Sequence, residues 1–183
     1  MTNSKTLQKI ELKIGDYAFS FKRFHYEERM SEETNCFVAD LLVNGKQFAT
    51  CDNNGHGEST NVRPLPGCID IWKEIVTFLA LQPKVKCEGY DFEMDCDLEY
   101  VADTLTIKHL ESKEFERIMK MTKNKLVFKD ANGNYYSSTW GKLSIETMLK
   151  DEHYREEIRK AIKLGVQKNR TLMNRNIPEE LMK

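Results

Sequence analysis

A chain of 183 residues, 40% of them apolar and 31% charged, is long enough to bury a core without disulfides or a structural metal. Its 28 Lys and Arg nearly balance 29 Asp and Glu, which excludes the strongly basic balance of a protein that coats nucleic acid. No run approaches the roughly 18 apolar residues that span a bilayer, and the start of the chain shows no apolar secretory leader, so a cytoplasmic protein with no membrane partner is expected.

The first third predicts strands. Ile10, Leu12 and Ile14 alternate with Lys9, Glu11 and Lys13 in a strand over 7–14, and Gly15-Asp16 mark a turn. Tyr17, Phe19 and Phe21 begin a second strand, and the polar run from His25 to Thr34 reads as a loop. Phe37, Ala39, Leu41 and Val43 form one face of a third strand. Asn44-Gly45 then leads into Lys46 to Cys51, and both turn residues tolerate the positive φ of a type I′ hairpin.

Asp52 to Gly67 reads as a long polar loop, a length that ordered domains rarely carry without a use. Trp72, Ile75, Val76 and Leu79 recur at helical spacing, and this helix must stop before Pro83. Asp91, Glu93, Asp95, Asp97 and Glu99 alternate with Phe92, Met94, Cys96, Leu98 and Tyr100. A strand to about Cys96 is expected, then a helix to about Leu110, then a separate helix from an N-cap at Ser112 to Met121. Lys125 to Lys129 and Tyr135 to Trp140 predict another hairpin. Ser144 caps a short helix, and a longer one runs from Glu152 to Leu164 with Gly165 at its end. Residues 169–183 are polar and are expected to fray.

The pattern specifies a single α+β domain over residues 1–183, β-rich over 7–51 and mixed over 68–168. Its sheet is mainly antiparallel and built from hairpins, with helices on one face. Expected core residues include Ile10, Leu12, Phe19, Phe21, Phe37, Leu41, Val43, Trp72, Ile75, Leu79, Leu105, Val127 and Ile158.

The loop after the first hairpin offers the best ligand-binding candidates: Asn53, Asn54, Gly55, His56, Gly57 and Arg63. Glycines permit close backbone approach, successive amides can form an anion nest, His56 can donate or accept, and Arg63 supplies a planar cation. The same residues serve equally as a loop that returns a strand to a helix. A calcium loop is excluded at its twelfth position, where Arg63 stands in place of a bidentate glutamate. Cys51, His56 and Cys68 match no closed zinc spacing, and the five cysteines contain no CxxC pair, so no metal and no cofactor is expected.

Two charged segments are the interaction candidates. Asp91, Glu93 and Asp95 place carboxylates on one strand face, suited to a divalent cation, to a basic partner or to protecting an edge. Lys160 and Lys163 belong to a run with Arg159, Lys168, Arg170 and Arg175 that would meet phosphates, although it holds few aromatic rings on which bases could stack. No GxSxG, HExxH, Walker or GxGxxG signature occurs.

The stretch Met30-Ser31-Glu32-Glu33-Thr34-Asn35-Cys36-Phe37, continued by Val43-Asn44-Gly45-Lys46 and Asn54-Gly55-His56-Gly57, resembles a pattern of small uncharacterised bacterial and phage proteins. That pattern runs Ser-Glu-Glu-Thr, strand, Asn-Gly turn, strand, glycine-rich loop. The resemblance implies that hairpin and loop form a recurring unit, and it carries no activity. A non-enzymatic protein-interaction domain, such as an accessory or inhibitor protein of a phage or mobile element, is the leading expectation. A small anionic ligand (a phosphate ester or nucleotide) on the 52–63 loop is the alternative, and nucleic acid on the basic C-terminal helix is a further one.

Overall fold

The computed structural model describes residues 9–86 and 91–182, and the chain divides into two compact units that meet in sequence at Leu110 and Glu111. The architecture is α+β with antiparallel sheets. The expected strand start at Leu7 and the fifth cysteine, Cys87, lie outside the described residues.

The first unit is built on a five-stranded antiparallel meander: β1 (Leu12–Ile14), β2 (Tyr17–Tyr26), β3 (Phe37–Val43), β4 (Lys46–Asn53) and β5 (Asn61–Pro64), in that spatial order. Asn44 and Gly45 take φ of 49° and 80°, the conformation that a type I′ turn between β3 and β4 demands. Strand β2 runs to Tyr26 because a bulge at Arg23 (φ 53°) carries it past the expected loop start; the Arg23 guanidinium forks onto buried Asp40 at 2.6 and 2.9 Å.

The supposed loop 52–67 is half sheet. Asp52 and Asn53 finish β4, and Asn61 to Pro64 pair with it as β5. The sequence Asn-Val-Arg-Pro has no alternation to announce a strand, and its proline sits at the end of an edge strand, where a missing donor is tolerated. Helix α1 (Ile69–Ala80) stops before Pro83 and buries Ile75 and Leu79, while Val76 faces outward. The expected strand to Cys96 shrinks to β7 (Glu93–Met94), paired with β6 (Val85–Lys86). Helix α2 (Leu98–Met121) then runs unbroken through Leu110 and Ser112. Its first turn is held by the Asp97 carboxylate, which accepts the Tyr100 amide at 2.8 Å, so the capping residue is Asp97 and not Ser112.

The core of this unit joins alternate residues of the strands to one side of the helices. Phe19, Phe37, Leu41, Phe48, Ile75, Leu79, Val101 and Leu105 are all essentially buried, with Ile10, Leu12, Phe21 and Trp72 packed around them. Phe21, Phe24, Phe37 and His109 cluster beside this core, with ring centroids 4.7–6.0 Å apart; Phe21 stacks on Phe24 and on His109, and the other pairs are tilted.

The second unit contains β8 (Lys125–Lys129), β9 (Tyr135–Thr139), α3 (Ile145–Met148), α4 (Glu152–Gln167) and β10 (Thr171–Leu172), with sheet order β10-β8-β9. Ser144 caps α3 by accepting the Thr147 amide at 3.1 Å. Helix α4 continues past Gly165, which is buried inside the helix and does not end it. A Cβ there would stand 2.7 Å from Phe128 Cδ1 and closer still to Cε1, so the glycine lets helix and strand touch. The tail that was expected to fray is packed. Ile177 and Leu181 enter a core with Leu126, Phe128, Ile145, Met148, Ile158 and Ile162. The side chain of buried Asn174 accepts the Val127 amide at 2.8 Å and donates to the carbonyls of Thr122 and Lys125, both at 3.0 Å.

Candidate functional site

Where β4 leaves the sheet, the chain folds into a knot that seals two loops together. Asn53 begins it: its Oδ1 accepts the Gly55 amide at 2.8 Å and the Thr34 hydroxyl at 2.8 Å, while its Nδ2 donates to the Glu58 carbonyl at 2.9 Å and to Thr60 Oγ1 at 3.2 Å. Asn54 repeats the turn one residue on, accepting the His56 amide at 3.1 Å and donating to the Glu58 carboxylate at 2.8 Å. The Gly57 amide reaches Thr34 Oγ1 at 3.3 Å.

Gly55 fixes the other half of the knot. Its carbonyl accepts the amides of Glu32, Glu33 and Thr34 at 3.1, 2.9 and 3.2 Å. It has φ +89°, and a Cβ would lie 2.9 Å from the Met30 carbonyl carbon and closer to its oxygen. Only glycine permits both the conformation and the approach. The 31–36 segment is therefore bound edge-on to the 53–58 loop.

These bonds answer the expectation of an anion nest. The amides of Gly55, His56 and Gly57 all donate inside the knot, so none of the three is directed at a ligand. His56 is exposed, and its Nδ1 stands 3.3 Å from Glu32 Oε2. Arg63 lies on β5 and pairs with Asp52 at 3.2 Å. The structure thus brings Asn53, Asn54, Gly55, His56 and Gly57 together and leaves Arg63 engaged elsewhere on the sheet.

Thr34, Thr60, Glu32, Glu33 and Glu58 complete the site; the sequence places Glu58 and Thr60 in the candidate loop and Glu32, Glu33 and Thr34 in the Ser-Glu-Glu-Thr stretch, and it assigns none of the five a role. Thr34 reaches Asn53 and Gly57 from a different loop, and the register of the β3–β4 hairpin brings the two loops together. Thr60 carries the knot to α2: its hydroxyl donates to Asp103 at 2.6 Å and its amide to Glu99 at 3.2 Å. Burial holds the Asp103 carboxyl above the usual carboxylate range; the Thr60 hydroxyl opposes this, and Glu99 and Asp97 reinforce it. Burial likewise pushes the Cys51 thiol up to about 12, which makes it an inert core group. Among the described residues no cluster of three His, Cys, Asp or Glu side chains is arranged to hold a metal ion.

The acidic candidates are answered by lysines. Asp95 pairs with Lys84 at 3.2 Å, and Glu93 lies opposite Lys86 across the β6–β7 register. Asp91 stands in a bend outside the strand, so the three carboxylates do not share one strand face.

In the second unit, Lys160 pairs with Glu157 at 3.2 Å, Arg159 with Glu156, and Arg155 with Glu152 and Glu180 at 3.3 and 3.0 Å. Lys163 is exposed and forms no ion pair among the described residues. The two units also differ in charge. Residues 1–110 hold 12 Lys and Arg against 18 Asp and Glu, whereas residues 111–183 hold 16 against 11.

Compared with models of protein families, with curated proteins and with solved structures, the chain matches none.

Proposed function

We propose that this protein is a non-enzymatic interaction domain whose knotted loop is a preformed surface for a basic protein partner. The observation that carries the reading is the internal use of the Gly55, His56 and Gly57 amides. A loop whose main-chain donors are occupied offers little to a small phosphate. It does hold its outward side chains in fixed places, and those are Glu32, Glu33, His56 and Glu58, all exposed. A stiff loop pays less conformational entropy on binding than a mobile one. An acidic rim draws a basic partner by charge complementarity, acting chiefly on the association rate and its salt dependence.

The experiment is affinity capture from cell extract with wild-type protein and with Glu32→Lys/Glu58→Lys, both checked for native melting. The reading expects proteins retained by wild type at low salt, released as salt rises, and absent from the double variant. Identical captures by the two proteins would remove the loop from the account. So would thermal stabilisation by nucleotides that is lost in His56→Ala.

A further inference from the structure

The three-stranded sheet of the second unit ends on an open strand. In the order β10-β8-β9, β9 has β8 as its one neighbour. The direction of its outer backbone groups follows from β8. The Val127 amide donates to Asn174 Oδ1 and the Val127 carbonyl accepts the Met173 amide, both at 2.8 Å, so both polar groups of Val127 point away from β9. Val127 is in register with Ser137. That pair is therefore a non-hydrogen-bonded one, and the Ser137 amide and carbonyl are turned to the open side. The two-residue period of the strand gives Tyr135 and Thr139 the same direction. Among the described residues no other element takes these amides and carbonyls, and Ser137 and Thr139 are exposed.

The other sheet edges are blunted. Strand β1 is three residues long with Lys13 at its centre, β5 carries Arg63 and ends in Pro64, and β6, β7 and β10 have two residues each. Tyr-Tyr-Ser-Ser-Thr on β9 has no charge, no proline and no bulge, and its Tyr and Thr residues favour an extended strand.

We infer that β9 pairs antiparallel with β9 of a second copy of this chain, about a twofold axis through Ser137, and joins two sheets into one. The occupant is argued from self-complementarity. An antiparallel pair centred on Ser137 sets Tyr135 of one copy opposite Thr139 of the other, and every outward amide then meets an outward carbonyl. Aromatic and β-branched side chains facing each other across strands are a favourable pair. Lys125 and Lys129 lie one strand back on β8, in register with Thr139 and Tyr135, so no charge stands opposite a like charge at the seam. The twofold uses both copies of β9, and assembly closes at the dimer. Pairing over five residues is small beside the roughly 1,200–2,000 Å² of a stable interface, so the dimer is weak and reversible. The inference is independent of the acidic loop of the first unit.

Sedimentation velocity on the whole chain, from about 10 µM to about 1 mM, tests it. Wild type is expected to pass from monomer towards dimer across that range. Ser137→Pro removes the central outward donor and leaves the bonds to β8 in place, so it should stay monomeric and melt close to wild type. Ser137→Lys and Ser137→Glu each set like charges face to face and should weaken association by roughly threefold or more. An equimolar mixture of the two should recover it, because the axis brings position 137 of one copy against position 137 of the other. If Ser137→Pro does not fold, the Lys and Glu variants at this exposed position decide the matter. A wild type that is monomeric throughout overturns the inference. So do undiminished dimerisation in the variants, no recovery in the mixture, and assembly beyond the dimer.

Discussion

Replacing Gly55 with alanine is the most demanding perturbation of the knot. A residue with a Cβ at positive φ costs about 1–2 kcal/mol on conformation alone. At Gly55 the new methyl also meets the Met30 backbone, which cannot swing aside as a side chain would. Backing away moves the carbonyl that accepts the Glu32, Glu33 and Thr34 amides, and losing one or two of those bonds adds roughly 0.5–1.5 kcal/mol each. The expected total is about 3–4 kcal/mol. Gly45→Ala is the control, since it shares the positive φ with nothing within 4 Å of a new Cβ. Gly57→Ala (φ +88°) meets mainly the flexible Glu33 carboxylate and should stay near that control. In a Trp140→Phe background, Trp72 fluorescence reports unfolding of the first unit in urea. The Gly55→Ala midpoint should drop by about 1–2 M relative to wild type, twice the drop of Gly45→Ala or more. Equal destabilisation of Gly55→Ala and Gly45→Ala, to within about 0.5 kcal/mol, would refute the sealed-loop geometry.

Asp103 predicts a pH effect. Its native proton affinity is raised above that of the unfolded chain, so its contribution to stability is complete below the ordinary value of 3.8 and is lost as pH rises through the raised native value. Asp103→Asn should therefore lose less stability than wild type as pH rises above 3.8, and parallel profiles would contradict this. Gly165→Ala gains up to about 1 kcal/mol of helix propensity but meets Phe128, so a net loss of roughly 1–2 kcal/mol is expected by denaturant titration. Asn174→Ala strands the buried Val127 amide and should destabilise the second unit by about 2–3 kcal/mol, measured by hydrogen exchange of β8.

The features legible in the sequence are those with local causes. Asn44-Gly45 announces its turn because the φ requirement sits in the two residues themselves, and Ser144 announces its cap because the hydroxyl bonds three residues on. Pro83 bounds α1 for the same kind of reason. What escaped has causes that are distant in the chain. Gly165 resembles a helix end until Phe128 is set against it. Ser112 resembles a cap, yet no breaker interrupts the chain there and the helix continues. Ile177 and Leu181 lie too far apart in a polar tail to suggest burial, and the core formed by α3 and α4 gives them a place. In the site, the glycines mark where the chain must bend or approach closely. The segment that Gly55 approaches, Met30 to Thr34, becomes its neighbour only through the β3–β4 register.

The central claim, that the knot is a finished surface for a basic partner and not an anion cradle, is tested most directly by NMR amide titration. The protein is titrated with a Lys/Arg-rich peptide and, separately, with pyrophosphate. The account predicts salt-sensitive shifts at Glu32, Glu33, His56 and Glu58 with the peptide, and unmoved Gly55, His56 and Gly57 amides with pyrophosphate. Saturable pyrophosphate shifts at those three amides, with no response to the peptide, would contradict it.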